Sequence, residues 1–223
     1  MTLKLFIEAI LKFTLGVLLI GALIFFPAGT LAFAGGWLLM GILFVPMFCA
    51  GIVMMIKNPS LLASRLDAKE KEREQSIVVK LSGLMFVVGF VVAGLDFRFG
   101  WVKLPFVVNI AASVIFIIAY IIYAEVLREN AYLSRTIKVV EGQKVVSSGL
   151  YSIVRHPMYF ATILLFMAMP LVLGSAISFV IFIAYPFIIA ARIKNEEEVL
   201  ARELCGYEDY KKKVKYRMIP FVW

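Results

Sequence analysis

Residues 157–191 read PMYFATILLFMAMPLVLGSAISFVIFIAYPFIIAA. Two apolar runs, 157–173 and 176–191, are separated only by Gly174 and Ser175. Each is near the lower limit of the roughly 17–25 residues that a membrane-spanning helix needs. The pair therefore predicts a helical hairpin closed by a tight turn. Pro170 and Pro186 predict bends, which membrane helices tolerate where neighbours satisfy the freed carbonyls. Working outward, four further apolar runs cover 5–26, 37–56, 78–95 and 105–127. The expectation is an all-α integral membrane protein with about six transmembrane helices, the last two forming a C-terminal hairpin.

Composition agrees with that pattern. Of 223 residues, 62% are hydrophobic, and the mean hydropathy is +0.94. Soluble domains hold roughly 45–50% apolar residues, so a water-soluble globule is excluded. The net charge of +8 does not indicate nucleic acid, because the charges lie between the apolar runs, where basic residues mark topology beside anionic lipid. Lys57, Arg65, Lys69, Lys71, Arg73 and Lys80 follow or flank the loop after the second run. Arg128, Arg135, Lys138, Lys144 and Arg155 lie between the fourth and fifth. Arg192, Lys194, Arg202, Lys211, Lys212, Lys213, Lys215 and Arg217 follow the sixth. The alternate loops carry only Asp96, Arg98 and Lys103. This alternation predicts a multi-pass protein with both termini and its polar regions in the cytoplasm.

The N-terminal run, despite Lys4, Lys12 and a small-residue stretch at Ala32-Phe-Ala34, is long enough to be a spanning helix rather than a signal peptide. Residues 61–75, LLASRLDAKEKEREQ, predict a surface helix with a charged far end. Cys49 lies in an apolar run and Cys205 in the charged tail, so neither a disulfide framework nor a metal cluster is expected. The organisation expected is residues 1–127 as N-terminal transmembrane helices with a cytoplasmic loop at 57–77. Residues 128–223 follow as a catalytic region containing the hairpin 157–191 and a cytoplasmic tail.

Two stretches flank the hairpin and share its cytoplasmic side. The first, residues 147–161, reads SSGLYSIVRHPMYFA and holds His156, the one histidine of the chain. Gly149 permits a left-handed turn, and Pro157 suits the first residue of a helix. The helix entrance offers unpaired amides to an anion. Arg155 suits a carboxylate or phosphate, and Tyr151 and Tyr159 offer faces for an adenine or a sulfonium cation. An interfacial belt would explain Arg155 or either tyrosine alone. The second stretch runs Arg192-Ile-Lys-Asn-Glu-Glu-Glu198, then Gly206-Tyr207-Glu-Asp-Tyr210 and Tyr216-Arg-Met-Ile-Pro220. Arg192 and Glu196 stand one turn apart on one helical face, and Gly206 is placed to end that helix.

Taken together, the order Gly-Leu-Tyr, Arg-His-Pro-x-Tyr, hairpin, Arg-x-x-x-Glu-Glu, Gly-Tyr-x-x-Tyr and Tyr-Arg-x-Ile-Pro resembles the isoprenylcysteine carboxyl methyltransferase family. The resemblance covers the chain from Asn130 onward; the earlier segments share only hydrophobicity. It implies an S-adenosylmethionine pocket built by the hairpin and the tail. Gln143, Lys144, Val145, Val146, Tyr151, His156, Pro157, Met158 and Tyr159 would border the cofactor. Glu196 would also contact the cofactor, and Arg192 would hold the acceptor carboxylate, so that these two form the catalytic pair. With Glu198 following, the register of the acid stays open between Glu196 and Glu197. The spacing from the glutamates to the tyrosines also departs slightly from the eukaryotic members.

The expected partners are a lipophilic acceptor entering from the bilayer and membrane lipids, with neither nucleic acid nor metal. A carboxylate acceptor needs no base at neutral pH; an amine acceptor, as in phospholipid N-methyltransferases, would gain from His156 or a glutamate. Membrane sterol reductases share a similar Arg-His-x-x-Tyr stretch and ending and use NADPH. A transporter or scaffold is the non-enzymatic alternative, set against the near absence of charge within the spans, Asn109 being the main polar exception.

Overall fold

The computed structural model describes residues 3–67, 73–134, 136–137 and 139–223, with Arg73 and Glu74 described by backbone alone. Every regular element among them is helical. The first four apolar runs become α1 (Leu3–Ala28), α2 (Ala34–Lys57), α4 (Arg73–Phe99) and α5 (Phe106–Glu129), each longer than its apolar core because helix continues into flanking polar residues. A short helix α3 (Pro59–Leu66) follows α2. After a 3-10 turn at Gly149–Ser152 come α6 (Pro157–Val172), α7 (Ala176–Phe182), α8 (Ala184–Glu203) and α9 (Tyr207–Lys213).

Five helical stretches are long and apolar enough to cross a membrane: Leu3–Ala28, Ala34–Lys57, Gln75–Phe99, Phe106–Glu129 and Ala176–Glu203. The fifth expected span, α6, has 16 residues, about 24 Å of helix. It falls short by length, and the multi-pass architecture rests on the other five.

Side-chain contacts fix how the rods run. At Gly94 a Cβ would lie 2.6 Å from the Ile24 carbonyl oxygen, so α1 and α4 touch backbone to backbone at the same end. Phe25 packs against Trp37 while Phe13 meets Phe44 and Phe48, which makes α2 antiparallel to α1. Asn109 at the start of α5 donates to the carbonyls of Leu171 and Val172 at the end of α6, so those two are antiparallel as well. The pairs Arg192–Tyr159 and Tyr185–Thr162 run α8 back along α6. One core joins these elements, with Phe90, Phe116, Phe182 and Ile193 at its centre and Met218 of the tail at its edge.

The turn at 173–175 has a local cause. Gly174 adopts φ +78°, its N–H reaches the Leu171 carbonyl, and the Ser175 N–H reaches the Pro170 carbonyl. This pattern closes a helix on a left-handed residue. Pro170 therefore sits in the last turn of α6. Pro186 acts more strongly: it lacks an N–H and crowds the carbonyl four residues back, which is Phe182, where α7 ends. The expected bend is a one-residue interruption at Ile183, whose backbone stays right-handed helical, and α8 continues beyond it.

The proposed surface helix over 61–75 is a correction. α3 ends at Leu66, capped by Asp67, and residues 73–75 belong to the first turn of α4. Residues 68–72, with Lys69 and Lys71, lie outside the described residues, as do Arg135 and Lys138. α3 is amphipathic, with Leu61 and Leu62 buried and the Asn58 side chain accepting from the Leu61 N–H. Lys12 of α1 donates to the Leu66 carbonyl and pins its far end.

Candidate active site

The chain enters the site at Gly149, whose φ of +54° and lack of a side chain let the backbone close over the Glu129 carboxylate. That carboxylate accepts the Leu150 N–H at 3.0 and 3.1 Å. Tyr151 is buried next to it. Its hydroxyl accepts from Asn130 at 3.0 Å and its carbonyl accepts the Tyr210 hydroxyl at 2.7 Å. His156 is the N-cap of α6 and Pro157 its first residue. Here the tail folds back, as the Arg155 and His156 N–H groups donate to the carbonyls of Tyr216 and Arg217 at 3.0 and 2.7 Å.

Glu197 ties this junction together. It is 4% exposed and accepts from Arg155 Nε at 2.7 Å, Arg217 Nε at 2.8 Å and His156 Nε2 at 3.3 Å. Arg155 spends its Nη1 on the carbonyls of Val214 and Lys215. The cation that the sequence suggested for a ligand phosphate or carboxylate is thus committed to an internal clasp between α6, α8 and the tail.

The next residue on α8 faces elsewhere. Glu196 accepts a short hydrogen bond from the Tyr159 hydroxyl, and that oxygen in turn accepts from Arg192 Nε at 2.9 Å. Arg192 Nη1 donates to Gln75 Oε1 at 2.9 Å. One residue along an α-helix is a rotation of about 100°, which separates the clasp acid from the acid beside Arg192.

Between these groups lies a cavity of about 830 Å³ including its open mouth. Of the residues singled out in the sequence, Gln143, Lys144, Val145, Val146, Tyr151, Arg155, His156, Met158, Tyr159, Arg192, Glu196 and Tyr210 line it, Arg155 while bound to Glu197 and the tail. Pro157 and Glu197 do not appear in its wall and stand behind it. Wall residues not foreseen include Asn130, Thr136, Leu200, Leu204 and Tyr207. Tyr207 was visible only as part of the Gly-Tyr-x-x-Tyr signature. Gln75 carried no sequence signal at all.

Tyr207 differs from the other buried wall residues. It is 3% exposed, and among the described residues its hydroxyl is the one buried side-chain polar atom without a hydrogen-bond partner. Buried polar atoms in native proteins are normally paired. Burial, reinforced by the neighbouring Glu197 and Glu196 charges, raises its pKa well above the usual tyrosine value; burial does the same for Tyr151. Both remain phenols at neutral pH, and Tyr207 keeps its proton.

Against known proteins, the sequence model of the isoprenylcysteine carboxyl methyltransferase family matches residues 110–202. Those residues run from α5 through α8 and contain Arg155, His156, Tyr159, Arg192, Glu196 and Glu197. No match was found among curated proteins. The family match implies methyltransferase activity and, with the five apolar helices, a multi-pass membrane protein.

Proposed function

From that family match as premise, we propose that the protein transfers a methyl group from S-adenosylmethionine to the carboxylate of a lipophilic acceptor of the isoprenylcysteine type, at the cytoplasmic face of a membrane. The observation that carries this reading is the meeting of the Tyr151–Tyr159 stretch with Arg192 and Glu196 around one cavity whose wall holds an unpartnered phenol. The donor set fits the cofactor: a buried O–H donor in Tyr207, a carboxylate acceptor in Glu196 and aromatic surface in Tyr151 and Tyr159.

S-Adenosylmethionine, when bound, supplies an electrophilic methyl group on a sulfonium sulfur. Tyr207 donates to an acceptor atom of the cofactor. Glu196, held by Tyr159, accepts from hydroxyl or ammonium groups. A carboxylate against the sulfonium would stabilise the ground state more than the transition state, so Glu196 belongs at the ribose or amino end. Arg192 orients the acceptor carboxylate through its planar fork. No side chain has to remove a proton, and the protein's contribution is alignment, which can lower a barrier by roughly 7–11 kcal/mol. In this reading the acceptor reaches the site from the bilayer, and the basic ends of the helices support a cytoplasmic site and cytoplasmic termini.

The nicotinamide reading would need cations for a 2′-phosphate, and Arg155 is engaged by Glu197 and two tail carbonyls, which counts against it. The test uses the full chain in detergent. S-Adenosylhomocysteine at 100 times its dissociation constant should stabilise by about 2.7 kcal/mol, with NADPH inert, and tritiated methyl should pass to N-acetyl-S-farnesylcysteine. Arg192→Ala should keep cofactor binding and lose transfer. Stabilisation by NADPH alone, or transfer undiminished in Arg192→Ala, rejects the assignment.

A further inference from the structure

Gln75 is 0% exposed, an unusual position for a residue type found mostly at surfaces. It opens the apolar part of α4, far in sequence from the stretch 110–202 that matches the family. Its side chain is spent entirely on α8. The amide oxygen accepts from Arg192 Nη1 at 2.9 Å. The amide nitrogen donates to Asn195 Oδ1 at 2.6 Å and, at 3.5 Å, to the Arg192 carbonyl. Arg192 Nε meanwhile donates to the Tyr159 hydroxyl at 2.9 Å. The guanidinium is therefore gripped at two of its nitrogens by residues from two different helices, and a planar group held at two points has its plane fixed.

We infer that Gln75 is a positioning residue: it sets the plane of the Arg192 guanidinium for the acceptor's anionic group, so that the N-terminal half of the chain contributes to a site whose wall comes from residue 130 onward. The inference rests on the methyl-transfer reading above. Gln75 does not touch the acceptor; it acts through Arg192. The amide is suited to this because it offers an acceptor to Nη1 and a donor to Asn195 at once while adding no charge. A carboxylate at the same position would still accept from Nη1. It would also place a negative charge where an anionic acceptor must bind.

Two variants test this in the full-length protein in nanodiscs, with tritiated S-adenosylmethionine and two probes: N-acetyl-S-farnesylcysteine, a carboxylate, and its neutral carboxamide, used as a competitor. Gln75→Ala should leave S-adenosylhomocysteine affinity unchanged while kcat/KM for the carboxylate acceptor falls roughly 10- to 100-fold, the size of a misalignment effect. Gln75→Glu should fold with a Tm near wild type and bind the neutral carboxamide as wild type does. Its KM for the carboxylate should rise roughly tenfold or more, the effect of a like charge nearby. If Gln75→Glu restores full activity, the residue is only structural and the positioning role is wrong; so too if Gln75→Ala transfers methyl at the wild-type rate. Loss of cofactor affinity in either variant also overturns it. Failure of the wild-type protein to bind S-adenosylhomocysteine or to methylate the probe would instead remove the underlying reading, and this inference with it.

Discussion

Glu196 and Glu197 are chemically identical neighbours with different partners, and exchanging each for glutamine should separate them. Glu197→Gln keeps the shape of the side chain but removes the charge that faces two guanidinium groups and an imidazole. Its oxygens lie 2.7 Å from Arg155 Nε, 2.8 Å from Arg217 Nε and 3.3 Å from His156 Nε2. The new amide also turns an N–H group toward a donor. Removing one partner of a buried ion pair costs about 3–5 kcal/mol. For chains of 150–250 residues, each kcal/mol moves the midpoint by about 2–4 °C, so a fall of roughly 6–20 °C is expected. Glu196→Gln alters a half-buried side chain on the cavity, bonded to Tyr159. An exchange of that kind costs about 1 kcal/mol, or about 2–4 °C by the same conversion.

The assay is thermal unfolding of the detergent-purified protein at a fixed scan rate, with and without S-adenosylhomocysteine. Glu196→Gln should unfold near the wild-type temperature and lose most of the ligand-induced rise. Glu197→Gln should unfold far lower even without ligand. Equal midpoints for the two variants, or a Glu197→Gln protein within about 2 °C of wild type, would refute the assignment of Glu197 as the clasp and Glu196 as the ligand acid.

Other expected outcomes follow from single contacts. Tyr207→Phe removes the unpartnered hydroxyl and should leave the midpoint unchanged or slightly higher, while S-adenosylhomocysteine binds about tenfold more weakly by calorimetry, the value of one hydrogen bond near 1.4 kcal/mol. Gly149→Ala forces a side chain into left-handed backbone and onto the Glu129 carboxylate; the backbone alone costs about 1–2 kcal/mol, visible as a lower midpoint with loss of ligand response. Arg155→Lys cannot serve Glu197 and the carbonyls of Val214 and Lys215 together, and a destabilisation of about 1.5–3 kcal/mol should appear in denaturant melts.

Hydropathy located the first four rods within a few residues because burial against lipid depends on composition summed along a run. The hairpin turn was equally legible, since Gly174 has a conformation that few other residues adopt. Three things were not. The extent of the helix at 61–75 depends on where the chain re-enters the bundle, and Gln75 belongs to α4 only because α8 supplies partners for its amide. Arg155 looked like a ligand cation, yet its fate was decided by a carboxylate 42 residues away on α8. The choice between Glu196 and Glu197 turns on the rotation of α8 about its axis, a quantity set by packing against α4 and α6.

These observations explain why the two ends of the bundle differ. At one end, loops 29–33, 100–105 and 173–175 are short and their polar groups are answered nearby. Asp96, 2% exposed, accepts from Ser175 Oγ at 2.6 Å and the Val102 N–H at 3.0 Å. Asn109 occupies the last carbonyls of α6, and Ser178 donates to the Gly89 carbonyl. Among the described residues, no buried side-chain polar atom at that end lacks a partner. At the other end, Gln75, Tyr159, Arg192 and Glu197 meet across long sequence separations, and Tyr207 is left with an unspent proton. Interior polar groups are costly unless paired, so an end whose buried polar groups are paired serves the fold, whereas an end that holds an unpaired donor beside a cavity is suited to a ligand. Filling that cavity should raise the stability of the second end selectively: hydrogen exchange should slow at 151–159 and 192–210 on binding S-adenosylhomocysteine and stay unchanged at 96–109. Equal slowing at both ends would show that the division is wrong.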